Sequence, residues 1–136
     1  MTKKYNIAIV GATGAVGQMM IQVLLERKFP INELYLLASN KSDGKKINIL
    51  NKEFTVKALD GFDFSGIDIA LFSAGSNISE KYAKEATNKN SIVIDNTSFF
   101  RYEEDIPLIV PEINASQITH YKKTGIIANP NCSTIQ

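Results

Sequence analysis

The chain is 136 residues long, with 44% hydrophobic and 21% charged residues and a formal net charge of +1. Those figures describe one globular domain with a single core and exclude a disordered or fibrous segment. Scattered lysines and near neutrality leave no electrostatic footprint for nucleic acid, while one cysteine and one histidine exclude an internal disulfide and a zinc cluster, so no metal is expected. The basic start runs into an apolar stretch that Gly11 and Gly14 interrupt before it reaches signal or spanning length, so no membrane segment and a soluble, cytoplasmic protein are expected.

Short apolar runs alternate with stretches of helical period. The first run, Tyr5 to Val10, predicts a strand, and Ala15 to Arg27 predicts a helix with Val16, Met19, Met20, Val23 and Leu24 on one face. A second strand is expected over Leu34 to Ala38. From Lys46 to Leu59, two alternating stretches flank Asn51-Lys52 and read as a hairpin at a sheet edge. Strands follow at Asp68 to Ser73, Ser91 to Asp95, Leu108 to Val110 and Ile126 to Ala128, with helices from about Ser79 to Asn88 and Asn114 to Tyr121. Most strands are continuous apolar runs, as in sheets covered on both faces. The fold class is therefore α/β, a Rossmann-type, doubly wound and mostly parallel sheet with helices on both faces. The last residues, NPNCSTIQ, read as the opening turn of a further helix of which only a few residues are present, so a downstream continuation is expected.

The first strand leads directly into GATGAVG, residues 11–17. There Gly11, Gly14 and Gly17 would serve a tight turn, a close backbone approach and helix-to-strand packing. Free N–H groups and the helix dipole at that point form an anion site suited to a pyrophosphate. A glycine triplet alone could be a structural turn; its position closing the first strand of an alternating chain favours a dinucleotide. NAD-binding folds usually end their second strand with an acid for the ribose 2′-hydroxyl, and this chain has LLASNKSDGKK instead. Ser39, Lys41 and Ser42 suit a 2′-phosphate, so NADP is favoured and NAD stays open; Asp43 reads as a turn former. In FSAGSN, the small residues Ser73, Ala74 and Gly75 could let the dinucleotide lie close, or could form an ordinary loop capped by Ser76 or Asn77.

Cys132 is a free thiol at the expected start of a helix, just after the last strand, where the dipole would stabilise a thiolate. Most such cysteines are buried apolar side chains. The turn residues Pro130 and Asn131 argue instead for the carboxyl edge of the sheet, the edge of the glycine loop. A thiol and a nicotinamide together define one reaction class, an acyl transfer through a thioester coupled to hydride transfer.

The stretches GATGAVG, SNKSDGK, FSAG, DNTSFFR, VPEIN and GIIANPNCSTIQ resemble, in order and spacing, successive motifs of the aspartate-semialdehyde dehydrogenase family. The likeness runs along essentially the whole chain, but over only the first part of a typical member, and it implies that residues 1–136 are one dinucleotide-binding domain that ends where a catalytic and dimerisation domain would begin. It implies that Cys132 is the nucleophile of the acyl-enzyme, that Asn131 helps position the reacting group and that Arg101 binds phosphate or the acyl phosphate. It also implies that Thr13, Gly14, Ala15 and Val16 hold the pyrophosphate, that Ser39, Lys41 and Ser42 select NADP, and that Ser73, Ala74, Gly75 and Asn96 line the cofactor cleft. Many members carry arginine at the position of Lys41, which leaves room for NAD. The reaction implied is the reversible, NADPH-dependent conversion of L-aspartyl 4-phosphate to L-aspartate 4-semialdehyde and phosphate, in lysine, threonine and methionine synthesis. The enzyme would be a homodimer or homotetramer. The family's general-base histidine and its substrate-binding glutamine and arginine belong to a second domain. Neither His120 nor Gln136 replaces them, so this chain alone is expected to be inactive. The surface that meets the second domain should be an exposed apolar patch. Alternatives are N-acetyl-gamma-glutamyl-phosphate reductase and a non-catalytic dinucleotide-binding module.

Overall fold

The computed structural model describes residues 3–97, 106 and 124–128. In chain order these form β1 (Tyr5–Val10), α1 (Ala15–Glu26), β2 (Ile31–Ala38), β3 (Lys46–Ile49), β4 (Lys52–Ala58), β5 (Ile69–Phe72), α2 (Ser76–Asn88), β6 (Ile92–Asp95) and β7 (Ile126–Ala128). The strands make one sheet in the order β3-β4-β2-β1-β5-β6-β7. All neighbours are parallel except the antiparallel pair β3 and β4. From β1 the chain moves outward through β2 and then returns to β5 on the other side, so the strand order reverses beside the end of β1. Open α/β sheets bind ligands at such a reversal, outside the carboxyl ends of the strands.

Alternation along β1 explains the layers. Ile7 and Ile9 enter one core with Ile21, Leu36 and Val56, while Ala8 and Val10 enter the other with Phe64, Phe72, Ala83 and Val93. Both faces of the strand are therefore covered, α1 contributing Ile21 on one side and α2 contributing Ala83 and Ala86 on the other. The Rossmann-type sheet expected from the sequence is the sheet observed.

The differences lie at element ends. β2 begins at Ile31, before the expected Leu34, because backbone pairing of Ile31 with Tyr5 and of Glu33 with Asn6 extends it through exposed polar residues. α2 begins at Ser76, before the expected Ser79, because Gly75 caps it. The expected hairpin is present, but its turn is Leu50-Asn51, with Lys52 already paired to Ile49. Both turn residues have positive φ, 50° and 65°, the type I′ arrangement of two-residue hairpins. A leucine is a poor signal for that conformation, which hid the register by one residue. The expected strand Leu108 to Val110 and helix Asn114 to Tyr121 lie outside the described residues.

The apolar face expected on α1, Val16, Met19, Met20, Val23 and Leu24, is not the face buried on the sheet, because the close approach at Gly17 turns Gly17 and Ile21 inward instead. Gly17 and Ile21 are buried against the sheet, whereas Val16, Met19 and Val23 remain 44%, 56% and 37% exposed. Together with Met20, Leu24 and the half-buried Leu71 and Ile94, these exposed residues line an apolar groove of about 490 Å³. No helix among the described residues is long and apolar enough to cross a membrane.

The split gives a contrast in stability. Ile21→Ala should cost about 3 kcal/mol in denaturant unfolding, since its side chain is fully buried. Met19→Lys should stay within about 0.5 kcal/mol of the parent. Equal losses would contradict the assignment of Met19 to an uncovered surface.

Candidate functional site

The turn after β1 is fixed by three glycines with different tasks. Gly11 has φ 95°, and its N–H and that of Ala12 donate to the Leu37 carbonyl at 2.9 and 3.1 Å, tying the turn to β2. A Cβ on Gly11 would lie 2.9 Å from the backbone carbonyl of Ser73. A Cβ on Gly17 would lie 2.1 Å from the Gly11 oxygen, so α1 approaches the turn as closely as backbone allows. Gly14 is the N-cap, and a Cβ there would meet only the Gly11 oxygen, at 3.6 Å. α1 has no side-chain cap and no acid in its first turn. The N–H groups of Ala15 and Val16 thus have no intrahelical acceptor, and the positive end of the dipole is uncompensated.

The exit of β5 lies beside this turn. Ser73 donates its N–H to the Val10 carbonyl at 2.8 Å and its Oγ–H to the same oxygen at 3.3 Å. Gly75 then caps α2 at φ 96°, ψ 161°, a conformation open to glycine, again with no side-chain cap and no acid in the first turn. One strand further, Asp95 ends β6 fully buried. Its Oδ1 accepts from Ser79 Oγ at 2.7 Å and from the Thr97 N–H at 3.1 Å, and its Oδ2 accepts from Thr97 Oγ1 at 2.8 Å. These bonds fasten the rim of β6 to the second turn of α2, and Asn96 follows with its N–H on the Phe72 carbonyl at 2.8 Å.

Between these elements opens a cleft of about 580 Å³. Gly11, Thr13, Gly14, Ser39, Ser73 and Ala74, all singled out from the sequence, line it together. Lys41 and Ser42 lie on the 3-10 turn Asn40–Ser42, just beyond the walls, where Asn40 is the lining residue. Ala15 and Val16 line the apolar groove on α1 and are not among the residues that line the cleft. Asp43 accepts the Ala58 N–H at 3.0 Å, which accords with the turn-forming role read from the sequence. Arg101, Asn131 and Cys132 lie outside the described residues. Sequence reasoning missed Leu59, Asp60, Ile78, Lys81 and Tyr82, which form the far wall. They come from the exit of β4 and the first turns of α2, and only the strand order brings them opposite Ser39.

The site defines a class. Two uncapped helix starts, a turn without side chains and a cleft at the reversal of strand order together fit the pyrophosphate and adenosine of a dinucleotide. This is a Rossmann-type dinucleotide-binding domain. The family model described as "Semialdehyde dehydrogenase, NAD binding domain" matches residues 6–121, and the chain belongs to that family. Among relatives, aspartate-semialdehyde dehydrogenase 2 of Vibrio cholerae is 53% identical over all of this chain and 40% of its own length. The aspartate-semialdehyde dehydrogenase of Campylobacter jejuni is 56% identical, also over all of this chain and 40% of its own. A crystal structure of aspartate semialdehyde dehydrogenase II from Vibrio cholerae, complexed with ASA, superposes with a TM-score of 0.93 at 53% identity, over 98% of this chain and 44% of that one. The chain thus spans about two-fifths of the length of the curated relatives it matches.

A substitution at Gly14 separates folding from binding. Gly14→Ala has an allowed φ of −78° and no close contact, so stability should change by less than about 1 kcal/mol. Dinucleotide affinity, measured by calorimetry, should nevertheless fall about tenfold as the methyl group enters the cleft. Unchanged affinity would remove the pyrophosphate from this cap.

Proposed function

We propose that this domain binds NADP and forms the N-terminal part of an aspartate-semialdehyde dehydrogenase, joined after residue 136 to a catalytic and dimerisation domain. The observation that carries the reading is the bare carboxyl edge: the glycine turn and both helix starts meet there, and β7 ends on the same edge shortly before NPNC in the sequence. The names of the relatives support aspartate semialdehyde as one substrate, and its partners in this reading are L-aspartyl 4-phosphate and phosphate. The enzyme is cytoplasmic and a homodimer or homotetramer, and the apolar groove on α1 suits a surface that the rest of the protein covers.

In this reading the N–H groups of Ala15 and Val16, with Thr13 and Gly14, hold the pyrophosphate. Ser73, Ala74, Gly75 and Asn96 form the floor of the cofactor cleft, while Ser39 and Ser42 donate hydroxyls to the 2′-phosphate and Lys41 supplies the cation. The bound nicotinamide supplies or accepts a hydride. Cys132 is the nucleophile: its thiolate attacks the acyl carbon of the aspartyl phosphate, phosphate leaves, and a thioester forms. Asn131 positions the acyl group, and the forked guanidinium of Arg101 takes the phosphate oxygens. A general base from the second domain moves the proton, so this chain alone does not turn over.

The chain should bind NADPH more tightly than NADH, and Lys41→Ala should shrink that preference about tenfold while leaving NADH affinity unchanged. Iodoacetamide should label Cys132 at pH values below roughly 8.5, the value of an ordinary thiol. Equal affinity for both dinucleotides in the parent chain would reject the NADP assignment, and labelling confined to higher pH would reject thiolate activation.

A further inference from the structure

The far wall of the cleft has a chemistry that the pyrophosphate turn does not explain. After β4, residues Leu59 to Phe62 make a tight turn in which the Phe62 N–H donates to the Leu59 carbonyl at 3.0 Å and Gly61 takes φ 79°. That is the type II arrangement, with Asp60 at its first corner and glycine where only positive φ fits. The turn is anchored to β2, since the Leu59 N–H donates to the Ala38 carbonyl at 2.8 Å. Asp60 is exposed and lines the cleft, and no hydrogen bond or ion pair engages its carboxylate among the described residues. Of the other acids at this end of the sheet, Asp43 is committed to the Ala58 N–H and Asp95 to Ser79 and Thr97.

Position in the sheet decides what Asp60 meets. The pyrophosphate belongs at the exit of β1, and the ribose belongs beside the exit of β2 at Ser39 and Asn40. β4 lies on the far side of β2 from β1, about 4.8 Å further out, which is the reach from ribose to base. The wall there is apolar at Leu59 from the strand exit and at Ile78 and Tyr82 from α2, with Lys81 as the one cation among its described residues. A largely apolar wall with an acceptor beside it suits a purine whose edge carries an amino group.

We infer that Asp60 is a specificity-determining residue that accepts a hydrogen bond from the 6-amino group of the adenine, so that the domain reads the base of its dinucleotide as well as the phosphate. The inference rests on the dinucleotide reading above and extends it. A carboxylate only accepts, so it rewards the amino group of adenine and opposes the 6-oxo group of hypoxanthine. Leu59, Ile78 and Tyr82 hold the ring without regard to that substituent.

The test compares NADPH with its hypoxanthine counterpart, deamino-NADPH, by calorimetry on the parent chain and on Asp60→Ala and Asp60→Asn. The parent should prefer NADPH by about tenfold, the effect of one charge-assisted hydrogen bond. Asp60→Ala should bring the two ligands to within about twofold, by weakening NADPH alone. Asp60→Asn should restore part of the preference, since its amide oxygen still accepts. Both substitutions sit on an exposed turn, and an unchanged melting temperature shows that the fold is intact. A parent that binds NADPH without preferring it over deamino-NADPH overturns the inference and leaves the dinucleotide reading standing. So does an Asp60→Ala variant that gains NADPH affinity relative to NADH, because the carboxylate would then face the ribose 2′ position. A parent that binds neither ligand overturns both.

Discussion

The carbonyl oxygen of Gly11 occupies the space that a methyl group on Gly17 would need, 2.1 Å away, and the carboxyl edge of the sheet is organised by that contact. It brings the first turn of α1 down onto the end of β1. The same turn is pressed from the other side by the Ser73 carbonyl, 2.9 Å from where a Gly11 side chain would begin. Three backbone segments therefore meet with no side chain between them. What remains exposed at their junction is N–H groups and a helix dipole, both of which favour an anion.

Charge is arranged to keep that junction positive. Neither α1 nor α2 has an acid in its first turn or a side-chain cap, although each helix would gain stability from one. A missing cap costs about 0.5–2 kcal/mol, so two bare caps at one edge are an expense the fold bears where a ligand can replace them. The one buried acid of the rim, Asp95, is enclosed by three donors from Ser79 and Thr97. Its two oxygens are engaged in joining β6 to α2, and the Thr97 hydroxyl also lies 3.2 Å from Ser79 Oγ.

Local signals carried much of this arrangement. β1, β7, the start of α1, the turn at Gly11 and the packing at Gly17 follow from apolar runs and from residues that only a tight turn needs, and each appears where those signals put it. The close backbone approach expected at Gly14 falls instead on Gly11. Six lining residues of the cleft were legible for the same reason, because Gly11, Thr13, Gly14, Ser39, Ser73 and Ala74 all sit at strand exits. What was not legible depends on which strands become neighbours. Asp60 is 21 positions from Ser39 in the chain, and it reaches the same cleft only because β4 pairs with β2. The buried face of α1 was missed for a related reason: periodicity put Met19 on the inward face and passed over Ile21, and only the approach of Gly17 to the Gly11 carbonyl shows which face the sheet covers. The αL turn at Leu50 was lost because the residue there is one that the conformation disfavours.

The central claim is that the anion site at the carboxyl edge holds the pyrophosphate of a dinucleotide. Amide chemical-shift mapping of the labelled chain during titration with NADPH tests it most directly. The account predicts that the largest shifts fall on the N–H groups of Thr13, Gly14, Ala15 and Val16, followed by Ser73 and Ala74. Shifts confined to the apolar groove of α1 or to the opposite, amino edge of the sheet would contradict it.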